Sequence, residues 1–401
     1  AFAGTNLVFL AHQAGLMVDA IGRTFYRLAV SRKNLLEWTT AAQAEASHTP
    51  SVIGNYRLMS VSLAAGVMAI IIAVYRTDSV WIAVFPFALS WLAAPAMAFW
   101  ASRSPKLEDE LESSPVDRRT LRLVARRTWR FFETFVTPED SMLPPDNFQE
   151  DPKPLVAHRT SPTNIGLYLL SVASAREFGW LGLSDAVGKI ETTLATIKRM
   201  EKYRGHLYNW YDTTSLQTLE PRYVSTVDSG NLAGHLIALS NCCSSWMVQP
   251  GDVNASLDGI EDILDILGED LAAIPNDRHV LRPIRKHFED QVSALRRAIG
   301  KARETPEYFS VRLIEFAVQT ADIHVTATNI ATELDTAAGR QLLSWTTALR
   351  ETVESHFKDA SFGLEASNAL KKRLESVIDD MRELALGMEF GFLLEPQRLL
   401  L

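Results

Sequence analysis

The chain has 401 residues, too many for one ordinary domain and within reach of one large domain with additions. Its formal net charge of -8, with no basic stripe dominating the soluble part, argues against a nucleic-acid surface. Only two cysteines occur, the adjacent Cys242 and Cys243. That excludes a disulfide framework and fits a reducing compartment; no CxxC or HExxH spacing occurs, so no metal site is expected.

The first residue is Ala, and residues 390–401 read like an unfinished strand, so a piece of a longer polypeptide is expected. Residues 1–55 form a membrane-proximal segment. Within it, residues 6–46 predict a helix: Phe9, Leu10, Leu16, Met17, Ile21, Phe25 and Leu28 recur at helical intervals. Arg23, Arg27, Arg32 and Lys33 mark a basic side. Such a helix can lie in a membrane interface or pack on another domain.

Residues 56–102 predict a transmembrane hairpin. Residues 58–75 carry no charge over 18 positions, and residues 79–102 none over 24. At about 1.5 Å per residue both can cross a hydrocarbon layer of roughly 30 Å. Pro86 and Pro95 would kink the second span, and Trp81, Trp91 and Trp100 suit its interfaces. Basic residues flank the hairpin on both sides, whereas the connector Arg76-Thr77-Asp78 is balanced; the positive-inside rule puts both flanks in the cytoplasm.

Residues 103–114 form a polar linker. Beyond it, residues 115–401 predict an all-α domain. A first helix, 116–136, has Leu121, Val124, Trp129, Phe132 and Phe135 as its apolar stripe. Arg118, Arg119, Arg122, Arg126 and Arg127 form a solvated face near anionic headgroups. A Pro-rich loop follows and ends at Ser161-Pro162, a hydroxyl cap before proline at the first helical position. Helices are expected to about 178, over 185–203, from Ser229 to 245, then over 255–271, 280–303, 306–334, 336–358 and 366–386. Helical hairpins in series fit an α-solenoid or a closed α/α toroid. The loops are unequal and the longest carry the polar aromatics, which favours the toroid, with helix N-termini lining a cavity mouth.

Residues 208–231, YNWYDTTSLQTLEPRYVSTVDSGN, concentrate aromatics, acids and amides. Aromatic faces beside carboxylates and amides suit a sugar, whose ring stacks and whose hydroxyls need donors and acceptors. Trp210 and Tyr211 are candidates for stacking, with core packing as the alternative. Asp212 and Asp228 are candidates for hydroxyl contacts, though an Asp before a helix is commonly a cap. Asn164, Asn209, Ser229 and Asn231 lie near the helix starts. His158 and Arg159 would contact hydroxyls or brace the Pro-rich loop.

Leu143-Pro144-Pro145-Asp146-Asn147-Phe148-Gln149-Glu150 and His158-Arg159-Thr160-Ser161-Pro162-Thr163-Asn164-Ile165-Gly166 resemble the middle region of cyclic β-1,2-glucan synthases. So do Gly205-His206-Leu207-Tyr208-Asn209-Trp210-Tyr211-Asp212, Val227-Asp228-Ser229-Gly230-Asn231-Leu232-Ala233-Gly234, and the stretch from His12 to Trp38. The likeness covers nearly the whole chain. It implies a bacterial inner-membrane enzyme of several domains, its soluble part facing the cytoplasm. A glycosyltransferase region uses UDP-glucose with a divalent cation; a glucoamylase-like (α/α)6 toroid closes the β-1,2-glucan by transglycosylation; a phosphorylase-like domain trims chain length. This chain then supplies the membrane hairpin and the front of the ring-closing domain. The partners implied are β-1,2-glucan, membrane lipid and the other domains. A six-hairpin toroid needs about twelve helices and nine or so are counted; by the same resemblance, the catalytic carboxylates are expected beyond Leu401. The alternatives are a β-1,2-glucan hydrolase and a non-catalytic glucan-binding scaffold.

Overall fold

The computed structural model describes residues 2–32, 51–75, 80–102, 114–248, 251–274, 281–361 and 363–393. The chain divides into two compact units, Ala1–Glu112 with Gly391–Leu401, and Ser113–Phe390.

In the first unit, α1 (Phe2–Tyr26) ends in a π-helical turn, Arg27–Ser31, followed by α2 (Val52–Leu58), α3 (Ser60–Tyr75) and α4 (Val80–Ala101). The helix expected over 6–46 is present to residue 31; residues 33–50 lie outside the described residues, as do the connector 76–79 and linker residues 103–113. Ile82–Ala101, 20 residues, is long and apolar enough to cross a membrane. The other expected span is broken. Met59 interrupts it, and α2 and α3 meet at 71°; only as a bent pair do they pass for a span. Pro86 and Pro95 both lie inside α4. α3 packs along α4, and α1 lies against both. Ser62 Oγ donates to Trp91 O at 3.0 Å, and Trp91 Nε1 donates to Leu7 O at 3.1 Å. Leu16, Met17, Phe25, Ile72 and Phe85 face outward, a large apolar exterior of the kind that marks an interaction surface.

The second unit has nine α-helices among its described residues: α5 (Pro115–Phe135), α6 (Pro162–Glu177), α7 (Leu183–Arg199), α8 (Thr226–Trp246), α9 (Val253–Ala273), α10 (Leu281–Glu304), α11 (Phe309–Leu334), α12 (Ala337–Ala360) and α13 (Leu364–Leu386). The all-α expectation is borne out. Six two-residue strands, β1 (Phe148–Gln149), β2 (Leu155–Val156), β3 (Arg159–Thr160), β4 (Lys202–Tyr203), β5 (His206–Leu207) and β6 (Tyr211–Asp212), lie in the two long loops. The unfinished strand expected from Phe390 is instead a short 3-10 turn, Phe390–Leu393, and residues 394–401 lie outside the described residues.

Two apolar clusters form the core. One joins α6, α7, α8 and α13 to Trp129 of α5. The other joins α9 to α12 with Leu123 of α5. α6 packs along α8, and α13 returns to pack on α8 and α7, so the order in space is not the order in sequence. A simple serial solenoid, in which each repeat contacts only its neighbours, does not have this arrangement.

The apolar stripe expected on the first helix holds at Trp129 and Phe132, which join the core, and is corrected at its N-terminal half. Leu121 and Val124 are exposed, and Leu123, Arg126 and Trp129 are the buried residues of α5. The solvated arginine face holds only in part: Arg118, Arg119 and Arg127 are exposed, Arg122 is half-buried and Arg126 is buried. Arg119 pairs with Asp265, Arg122 with Asp262 and Arg127 with Glu269, all on α9. Arg126 is fully buried, bonds Glu133 through both its terminal nitrogens at 2.9 and 3.1 Å, and lies 5.7 Å from the Trp180 ring and 5.0 Å from the Trp345 ring. A basic row on α5 faces an acidic row on α9, with only the Arg122–Asp262 pair shielded from solvent, and the pattern of one helix reveals neither this pairing nor the burial of Arg126.

Candidate functional site

The Pro-rich loop and the polar aromatic loop meet through β3 and β6, which pair antiparallel, Arg159 opposite Asp212 and Thr160 opposite Tyr211. Thr213 N–H donates to His158 O at 3.1 Å, and Asp146 N–H donates to Arg159 O at 2.7 Å. Residues far apart in sequence are thereby fixed side by side.

Asp146 holds the centre. Its Oδ2 accepts from Arg159 Nε and a terminal Arg159 nitrogen at 3.2 and 2.9 Å, and its Oδ1 accepts from Asn164 Nδ2 at 3.3 Å. The Arg159 guanidinium then lies 4.8 Å from the centre of the Trp210 ring, a cation–π contact. On the other side of the α6 start, Thr163 Oγ1 donates to Asp228 Oδ1 at 2.5 Å and accepts from Asn231 Nδ2 at 3.2 Å. Asp140 completes the set: its Oδ1 takes His158 Nδ1 at 2.8 Å and the Thr213 hydroxyl.

Of the residues singled out from sequence, Arg159, Asn164 and Trp210 meet at Asp146, Asp228 and Asn231 meet at Thr163 beside Asn164 in the chain, and His158 meets Thr213 at Asp140; Asp212 joins through the backbone pairing of β3 with β6. His158, Arg159 and Asn231 are exposed, and Trp210 is half-buried. Tyr211 is corrected. It is fully buried, and its hydroxyl donates to Glu201 O at 2.6 Å and accepts from Tyr208 N–H at 2.7 Å. Burial pushes that phenol well above its ordinary range. It packs the core and cannot stack on a ligand. Asn209 is also buried, its N–H donating to Tyr223 O at 2.9 Å.

Asp212 serves its own turn. Its Oδ1 accepts from the backbone N–H of Thr214 and Ser215 at 3.0 and 2.7 Å and from both their hydroxyls. The Thr214 hydroxyl, with help from the other donors, holds its carboxyl below the usual carboxylate range. The helix start expected at Asp228-Ser229 is also corrected. α8 begins at Thr226, and Ser225 is the cap, accepting Asp228 N–H at 3.2 Å. Asp228 therefore sits in the first turn with its carboxylate turned to Thr163, while the Ser229 hydroxyl is buried without a partner.

The sequence reading passed over Asp140, Asp146 and Thr163. Asp146 and Thr163 stand inside the quoted motifs, but their side-chain partners named above lie 13 to 68 positions away, which no local pattern signals. Ser161 behaves as expected, its hydroxyl accepting Asn164 N–H at 3.2 Å. Among the described residues, no group of three or more His, Cys, Asp or Glu side chains is placed to hold a metal ion.

No family model matches the chain. Over 397 residues, 99% of its length, it is 45% identical to the cyclic beta-(1,2)-glucan synthase NdvB of Rhizobium meliloti (strain 1021). The chain spans 14% of the length of that protein. The resemblance expected from the motifs therefore holds along nearly all of this chain, toward one segment of a much longer polypeptide.

Proposed function

We propose that this chain is a region of a cyclic β-1,2-glucan synthase and that the Asp146-centred network grips the β-1,2-glucan. The observation that carries the reading is the joining of Trp210, Arg159, Asn164 and Asn231 across two loops that lead to the starts of α6 and α8. Arg159, His158 and Asn231 offer donors at an exposed surface beside an aromatic edge, the chemistry that sugar hydroxyls and ring C–H faces require. Thr163 in the first turn of α6 bonds Asp228 in the first turn of α8, so the two N-termini lie together at this surface, as the mouth of an α/α toroid would have them.

In this reading α4 and the bent α2–α3 pair cross the inner membrane, and the basic flanks keep the second unit in the cytoplasm. UDP-glucose, with its divalent cation, serves a glycosyltransferase region elsewhere in the polypeptide. Ring closure is a retaining transfer, which needs two carboxyls about 5–5.5 Å apart and a glucan hydroxyl as acceptor in place of water. The acids of this network are committed to loop contacts, so that pair is assigned to another part of the full protein.

Calorimetric titration of the chain with linear β-1,2-glucan tests the grip. Binding that falls about tenfold or more in Trp210→Ala and in Arg159→Ala supports it; unchanged affinity in both rejects it. The chain alone is expected to form no cyclic product. Release of shorter glucans by it would favour the hydrolase instead.

A further inference from the structure

A cavity of about 470 Å³, which shares no lining residue with the network, lies between α5, α7 and α12. Its lining includes Glu133, Trp180, Asp185, Lys189, Thr192 and Glu351. Its size is within the roughly 300–1,000 Å³ of small-molecule sites. Most of its polar groups are already used: Glu133 by Arg126, Asp185 by Lys358 at 2.7 Å, and Ser355 Oγ by Gly182 N–H at 2.8 Å. Trp180 is covered too, stacked on Phe178 at 4.7 Å with Arg126 beyond it, so it offers an apolar wall and no free face. Two groups differ. Among the described residues, neither the Glu351 carboxyl, on an exposed residue at the cavity rim, nor the Lys189 ammonium, on a half-buried one, has a hydrogen-bond or ion-pair partner. Partial desolvation of the carboxyl, then the nearby Glu133, push Glu351 above its ordinary range, with Arg130 and then Lys189 opposing.

The charges select the ligand. An anion would face Glu133, Asp185 and Glu351, and a cation would meet Lys189. A neutral molecule whose hydroxyls donate to Glu351 and accept from Lys189 satisfies both at once. We infer that this cavity is a binding site for a neutral saccharide of one or two sugar units, held by Glu351 and Lys189. The class follows from the cavity's own groups and does not require the glucan reading.

Saturation-transfer NMR and calorimetry on the full chain in detergent would use sophorose, maltose, glucosamine and glucose 6-phosphate. The neutral disaccharides are expected to bind, and to weaken about tenfold or more in the Glu351→Ala, Lys189→Met double variant. Trp210→Ala is expected to leave this binding unchanged. Thermal unfolding verifies that each variant folds, and Lys189→Met alone provides a second, milder probe. Failure of both disaccharides to bind, unchanged affinity in the double variant, or tighter binding of the phosphorylated or amino sugar would overturn the inference. Saccharide binding lost only in Trp210→Ala would overturn it while leaving the network reading intact. Loss only in the cavity variants would do the reverse.

Discussion

Single side chains decide which of the aromatic candidates can meet a ligand. Tyr211 and Trp210 are neighbours and read alike in sequence, yet one fills the core and the other borders the surface. The Tyr211 hydroxyl satisfies a backbone carbonyl and a backbone N–H, so Tyr211→Phe should cost about 1–3 kcal/mol through stranded buried groups. Denaturant unfolding measures that loss, and glucan affinity should stay unchanged. Glu351 gives a pH-dependent case. Its folded carboxyl titrates above the unfolded value of roughly 4.3, so ionisation disfavours the fold. Stability from this group is greatest below that unfolded value and declines as pH rises toward the folded one. Glu351→Gln is therefore expected to raise Tm at neutral pH and to lose the gain below about pH 4, as read by thermal unfolding across pH.

At the level of elements, caps were the legible part and long-range contacts were not. Ser161-Pro162 announces α6 because a hydroxyl and a proline act on the backbone beside them. Ser225 was missed because Asp228 and Ser229 also look like caps; the spacing of Ser225 and Asp228 is that of a capping box, but the Asp228 carboxylate serves Thr163 instead. The turn between α6 and α7 shows what sequence alone conceals. Gly179 has φ of +79°, and its carbonyl lies 2.1 Å from where a Cβ on Gly259 of α9 would stand. Both partners there are backbone, so neither can rotate away. Gly259→Ala should separate the turn from α9 and destabilise the chain by about 1–3 kcal/mol, an overpacking cost seen as a lower denaturant midpoint. Gly268, on the same helix with open space around it, is the control: Gly268→Ala should be neutral or stabilising.

For the second unit as a whole, the question is what joins its two apolar clusters, since helix count and class were readable but their seam was not. α5 contributes Trp129 to one cluster and Leu123 to the other, and Arg126 stands between them. Its guanidinium is fully buried, near one ring from each side, Trp180 and Trp345, and its Nε has no partner. Burial pulls its pKa below the ordinary range while Glu133 opposes the shift. Removing Arg126 leaves the half-buried Glu133 carboxylate with only the longer Arg130 contact at 3.4 Å. Arg126→Ala is accordingly expected to cost about 3–5 kcal/mol. The stranded charge separates this cost from simple loss of packing. If it dominates, adding Glu133→Gln to Arg126→Ala should recover a large part of the stability, and Arg126→Met with Glu133→Gln should recover more by refilling the space. Strictly additive losses in the double variants would show that packing, not the ion pair, holds the two clusters together.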